Sequence, residues 1–170
     1  MPPTLHTERL TLRPFAETDL DAYAAMCADE EVMRHIGSGG AVGRDIAWRQ
    51  MALFAGHWVL RGYGMWAVEE SASGALVGRA GFLNPEGWPA NELGWLLARP
   101  FWGRGYAHEA SLAARRHGRE VMRLGGRLVS LIRAENERSI ALARRLDAVH
   151  EQTIEFMGAT AQVWRHPGQE

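Results

Sequence analysis

This chain predicts an α/β fold. Seven short runs of seven to nine residues, alternating or uniformly apolar, are interleaved with four longer stretches whose apolar residues recur every three or four positions. Glycine or asparagine stands at several of the junctions. No repeat, low-complexity segment or linker divides the 170 residues, so a single domain over residues 1–170 is expected.

RLTLRPF (9–15) sets Leu10, Leu12 and Pro14 against Arg9, Thr11 and Arg13, the alternation of a half-buried strand. DLDAYAAMCADEEVMRHI then reads as one helix through Leu20, Tyr23, Ala24, Cys27 and Met33. GSGGAVG (37–43) breaks the chain, and a second helix is expected from Arg44 to Arg61, carrying Ile46, Met51, Leu53, Phe54 and Trp58 and ending at Gly62. GMWAVEE and ALVGRAGFL form a hairpin across a turn at Gly74. After the loop NPEGWPAN comes ELGWLLA (92–98), where Gly94 points to a bulge or a close backbone approach. A long helix starts at Gly105, runs through Ala110, Ala114, His117, Val121 and Leu124, and stops at Gly125 and Gly126. RLVSLIR (127–133) is short and apolar enough for a buried strand. Asn136 is placed to cap a last helix with Ile140, Ala143 and Leu146 on one face and Arg144 and Arg145 near its negative end. AVHEQTIEF and TAQVWRH close the chain as two further strands.

Composition excludes several function classes. A formal net charge of −1 gives no field to hold nucleic acid through many phosphates. All 19 basic residues are arginine, a skew that reflects genome composition better than a binding surface. Cys27 is the only cysteine, so there is no disulfide framework or CxxC pair, and a reducing, cytoplasmic home is expected. No leader pattern opens the chain, and no run approaches the ~18 apolar residues of a membrane span. His35, His57 and His108 could each shuttle a proton, but their spacing offers no metal signature.

The chemically informative stretch is RPFWGRGYAHEA (99–110), a tight loop between a strand and a long helix. A helix N-terminus presents unpaired N–H groups and about half a positive charge, and so attracts anions. Glycine at 103 and 105 removes side chains that would keep a phosphate from those groups and permits backbone angles closed to other residues. A P-loop would need GKS or GKT, which is absent. A dinucleotide fingerprint would need a third glycine where His108 stands and an acidic residue near position 125, which is glycine.

Trp102-Gly103-Arg104-Gly105-Tyr106-Ala107 before a helix, then a strand, then Asn136-Glu137-Arg138-Ser139, resembles the acetyl-CoA site of the GNAT N-acetyltransferases. LHTERLTLRPFAETDL (5–20) resembles the start of that family's ribosomal-protein-alanine (RimJ/RimL) branch, and the likeness runs in order from about residue 5 to 165. The resemblance implies a GNAT fold, with a mixed, mostly antiparallel sheet of six to seven strands flanked by about four helices. It implies acetyl-CoA as cofactor and an amine acceptor, either a protein N-terminus or a small molecule, and it admits a homodimer. By the same resemblance, backbone groups of Leu96, Leu97 and Ala98 pair with the pantetheine arm, and residues 102 to 107 hold the pyrophosphate. Asn136 reaches the pantetheine or its thioester end, Ser139 lies near the sulfur, and Arg104 and Arg138 contact nucleotide phosphate.

Glu92 is the expected general base, because it opens the strand facing the thioester. The family's tyrosine acid would fall at about Ala143, so Ser139 is the available substitute; a thiolate of pKa near 8.5 also leaves with little help. The usual LGF after the last helix reads Leu146-Asp147-Ala148. Trp66, Trp88 and Trp95 are candidate walls of the acceptor pocket, and Glu30 to Gly43 is its expected lid. A non-catalytic acyl-CoA sensor and a nucleotide-binding oxidoreductase stand as the competing classes.

Overall fold

Strand formation begins earlier than the alternation suggests. In the computed structural model, which describes residues 2–122, 124 and 126–168, Leu5–His6 (β1) pairs antiparallel with Leu10–Arg13 (β2). A two-residue strand shows no periodicity, so this eighth strand is invisible in the sequence. The others fall where their patterns place them: Met65–Glu70 (β3), Leu76–Leu83 (β4), Asn91–Leu97 (β5), Leu128–Arg133 (β6), Val149–Phe156 (β7) and Ala159–Arg165 (β8). They form one eight-stranded sheet of order β1-β2-β3-β4-β5-β6-β8-β7. Every pairing is antiparallel except β5 with β6.

Among the described residues the α-helices number five. The expected first helix divides into Leu20–Cys27 (α1) and Glu30–Met33 (α2) because Asp29, in extended conformation, accepts from the N–H groups of Glu31 and Val32 and starts a new helix. Arg44–Arg61 (α3) matches its expected bounds and ends on Gly62 at φ 76°, the left-handed residue a helix C-terminus favours. Tyr106–Glu120 (α4) stops a turn short of the expected end: Val121 and Met122 N–H both bond His117 O. The expected stop at Gly125 lies outside the described residues. Glu137–Arg145 (α5) is capped by Asn136, as expected.

Helix α4 covers one face of the sheet, where Tyr106, Ala110 and Ala114 meet Leu93, Leu97, Phe82 and Val68. Helices α1 to α3 cover the other, where Tyr23, Cys27, Phe54 and Met51 meet Met65, Leu83 and Leu96. Trp66 is fully buried in the first of these cores, its Nε1 donating to Pro3 O, which removes it from the acceptor wall. His57 is buried too; Nδ1 bonds Tyr63 O and Nε2 accepts from Asn84 N–H, so neither nitrogen is left to carry protons. Among the described residues no helix is long and apolar enough to cross a membrane.

Candidate active site

Strand β5 has two unlike edges. Toward β4 it is laddered in unbroken register from Gly78↔Leu97 to Leu83↔Glu92. Toward β6 only Asn91↔Leu128 and Glu92↔Val129 pair, and beyond Glu92 the parallel strands part. Gly94 therefore makes no bulge against β4; its missing side chain serves the close approach of Met65, whose Cε would lie 2.9 Å from a Cβ there. Ser130 Oγ, on β6, donates to Leu93 O at 2.6 Å and bonds the buried His166, which holds the fork at the point of divergence. Burial, then the nearby Arg115, pushes the His166 pKa down to about 3, so at neutral pH this imidazole is uncharged.

Alternation along β5 decides which peptide groups face the gap. Leu93 O points to β6 and Leu97 O accepts from Trp102 Nε1 at 2.8 Å, whereas Ala98 N–H donates to Val77 O at 2.9 Å on the β4 side. Trp95 and Leu97 thus turn their peptide groups to the gap. Ala98 is withdrawn from the expected set, since its C=O also accepts from Phe101 N–H at 3.0 Å. Leu96, the register partner of Arg79, faces β4. Of the three residues expected at this edge, Leu97 is the one whose peptide group turns to the gap.

The loop that follows is set by its glycines. Gly103 stands at φ 74° and Gly105 at φ 82°, both left-handed. A Cβ on Gly103 would meet nothing within 4 Å, so the loop is open above that residue. Gly105 is the N-cap of α4 and supplies no side-chain cap. Among the described residues, no protein group accepts from the N–H groups of Gly103 to Ala107. The Tyr106 side chain points into the core and donates to Glu70 Oε1 at 2.6 Å, so only its backbone serves the loop.

These edges and the loop enclose a cleft of about 870 Å³. Its walls include Leu96, Leu97, Trp102, Gly103, Gly105 and Ala107 on the strand and loop side, and Asn136, Arg138 and Ser139 on α5. Asn136 Oδ1 accepts from Ser139 N–H at 3.2 Å, and Ser139 Oγ accepts from Trp95 Nε1 at 3.2 Å. The Arg138 guanidinium lies 4.1 Å from the centre of the Trp102 ring. Arg104 departs from expectation: Nη1 stands 3.7 Å from Glu70 Oε1, the guanidinium lies over Phe101, and the side chain is off the cleft wall.

Glu92 sits at the fork itself and does not line the cleft. Burial pushes its carboxyl up, against the opposing hydrogen bonds from Trp88 Nε1 at 2.6 Å and the Leu131 N–H and the nearby Arg79 charge. Trp88 is thereby a partner of Glu92, while Trp95 is a wall of the cleft. Glu31, Arg34, His35 and Ile36, from the 30–43 segment, also line the cleft, and Arg133 Nη2 bonds Gly37 O. Burial, then Arg34, holds the His35 pKa below the usual histidine value.

Sequence reasoning missed a buttress. Arg9 Nη1 donates to Arg104 O at 2.9 Å, and Arg9 Nε to Glu109 Oε2 at 2.7 Å. Glu109 Oε1 also accepts from Thr7 Oγ1 at 2.6 Å. The partners lie about a hundred positions apart, and nothing local marks them. Arg145 and His108, on the cleft wall beside the loop, were also missed as candidates for an anionic ligand.

A model of the acetyltransferase (GNAT) domain matches residues 9–149. An acetyltransferase structure from Agrobacterium tumefaciens is 32% identical, with a TM-score of 0.87, covering 98% of this chain and 95% of that one. A GNAT-family acetyltransferase from Bordetella pertussis is 28% identical, with a TM-score of 0.80 and coverage of 98% and 100%. RimL, the ribosomal L7/L12 α-N-protein acetyltransferase solved with coenzyme A, shares the fold at 19% identity and a TM-score of 0.78, covering 98% of each chain. YkkB, an uncharacterised Bacillus subtilis protein, is 32% identical over 98 residues, 55% of this chain; the match spans 56% of that relative's length. The fold is shared with these acetyltransferases along nearly the whole chain, and with the family model matched over residues 9–149 this chain belongs to the GNAT family of acetyltransferases, whose members use acetyl-CoA.

Proposed function

We propose that the protein is an N-acetyltransferase, a single domain over residues 1–170 that moves an acetyl group from acetyl-CoA to a primary amine by direct attack in a ternary complex. The observation that carries this reading is the uncapped start of α4, whose free N–H groups open onto the same cleft as the unladdered edge of β5. The residues present fit the cofactor. The backbone from Trp102 to Ala107 receives the diphosphate at a helix N-terminus, where a Cβ on Gly103 would stand in the open space. The peptide groups of Trp95 and Leu97 pair with the pantetheine amides. Asn136 and Ser139 flank the thioester end, and Arg138, Arg145 and His108 face the phosphates.

Acetyl-CoA supplies an acyl group activated as a thioester. The chain's part is to hold that group beside a neutral amine, which contributes about 7 kcal/mol or more by proximity. An N–H on the released edge of β5 that is not engaged by the pantetheine, aimed at the charge growing on the acyl oxygen, contributes about 3 kcal/mol. Glu92, raised by burial, takes the ammonium proton through a water at the fork. Ser139 keeps its own proton to donate, because its oxygen is the acceptor for Trp95. The acceptor is a protein N-terminus or a small-molecule amine.

The test is thiol release from acetyl-CoA with a panel of amines, comparing wild type with Glu92→Gln. The expected result is turnover in wild type and a loss of roughly 10²- to 10⁴-fold in kcat in the variant. As the base, Glu92 must be ionised, so the wild-type rate climbs with pH through a carboxyl value above the ordinary range, and that limb vanishes in Glu92→Gln. Tight coenzyme A binding without thiol release for any amine would instead support a non-catalytic acyl-CoA sensor, which the burial of Ala143 at the family's tyrosine position favours.

A further inference from the structure

Arg79, on β4, is a charged side chain with little around it to meet its charge. It is 8% exposed, and its Nε has no hydrogen-bond partner among the described residues. Nη1 donates to Met65 Sδ at 3.7 Å, and the guanidinium lies 5.1 Å from the centre of the Phe54 ring. A buried charge is costly unless something compensates it. The sheet register shows what can. Arg79 pairs with Leu96, Gly81 with Gly94 and Leu83 with Glu92, so Arg79 and Glu92 stand on one face, separated by two glycines that put no side chain between them. Met65, the register partner of Gly81, fills that space. Its Cε comes 2.9 Å, and Glu92 Oε1 3.8 Å, from the point where a Cβ on Gly94 would stand. One thioether thus has its sulfur against the guanidinium and its methyl group over the same glycine as the carboxyl. Among the described residues no hydrogen bond or ion pair joins Arg79 to Glu92 directly.

We propose that Arg79 is a positioning residue for acetyl transfer: its charge, held one thioether away, keeps the Glu92 carboxyl ionised without bonding to it. The inference rests on the reading of Glu92 as the base. Separation is what makes the arrangement useful. A guanidinium in direct contact would occupy the carboxylate oxygens and leave too weak a base. With no cation near, burial would favour the protonated form, which cannot take a proton from the amine. Burial does push the Glu92 carboxyl up, and the Trp88 indole, the Arg79 charge and the Leu131 N–H pull it back. Arg79 is the one charged group among these causes. Around the pair, Tyr23 and Cys27 on α1 are both raised by burial and so uncharged at neutral pH. His57 on α3 is committed to Tyr63 O and Asn84 N–H. None of the three supplies a negative charge that would cancel Arg79.

Trp88 supplies a probe that does not depend on turnover. Its Nε1–H donates to Glu92 Oε2 at 2.6 Å, so the indole N–H resonance, assigned by its loss in Trp88→Phe, follows the ionisation of the carboxyl. In wild type the pH midpoint of that resonance should coincide with the acid limb of kcat/KM. Arg79→Met, which sets an apolar chain of similar length in the same packing, should move both about one pH unit higher. The rate then falls about tenfold below the limb and progressively less above it. Arg79→Gln, neutral but polar, should do the same, while Arg79→Lys should keep both near the wild-type values. An indole midpoint that stays in place in Arg79→Met and Arg79→Gln overturns the proposal, as does one that moves equally in Arg79→Lys. A midpoint that moves only in the neutral variants, with no limb of the rate following it, supports the coupling and refutes Glu92 as the base instead.

Discussion

Two helices begin on the same cleft and treat their first turns in opposite ways. Helix α5 closes its own start: Asn136 Oδ1 takes the Ser139 N–H, and the end of the helix is a self-contained cap. Helix α4 begins at a glycine with no side chain to offer, and the N–H groups of Gly103 to Ala107 have no protein acceptor among the described residues. Orphan donors at a helix start normally find side chains or water. Leaving several of them uncapped at one end of a cleft, when the neighbouring helix shows that a cap is easily encoded, marks α4 as the end reserved for a ligand. The contrast extends to β5, whose β4 edge is fully paired and whose β6 edge is released after two registers. A missing local bond is here the signal of function, and a made one the signal of structure.

The contrast is broken most severely at Gly103. Aspartate tolerates left-handed backbone better than most residues and sets a negative charge among the free N–H groups. Gly103→Asp should therefore fold and bind coenzyme A at least about 100-fold more weakly by calorimetry; unchanged affinity would refute the assignment of α4. On the α5 side the effect should be on stability. Asn136→Ala removes a cap worth about 1 kcal/mol and should lower Tm by roughly 2–4 °C in a chain of this size, with a smaller loss of affinity than Gly103→Asp. The smallest change is expected at the far end of α5. Asp147 holds φ 59° while Ala148 N–H bonds Ala143 O and Asp147 N–H bonds Arg144 O, the hydrogen bonds of a Schellman cap. Asp147→Gly should raise stability by about 0.5 kcal/mol, read from urea midpoints, and leave affinity unaltered.

The same division explains what could be read in the residues. Local devices were legible. Gly43 and Gly62 bracket α3, Asn136 caps α5, and the glycines at 103 and 105 announce a loop that needs left-handed backbone. Each is encoded within a few positions of where it acts. The break at Ala28 was concealed because Asp29 lies in an acidic run, ADEE, that suits a helix interior on composition alone. At the β5 edge a single bond, Ala98 N–H to Val77 O, decides which side each peptide faces. Arg104 was assigned from its place in a motif, but Glu70, on another strand, claims its side chain. Long-range partners of this kind leave no mark in a local pattern.

The buttress at Arg9 carries a consequence for how the phosphate loop is held. With Arg104 O and Glu109 both tied to Arg9, in the turn between β1 and β2 at the edge of the sheet, the loop is braced from outside its own span. Its rigidity is then a property of the chain's opening segment, and any trimming or fusion that disturbs residues 5 to 13 reaches the coenzyme without touching a single residue around it.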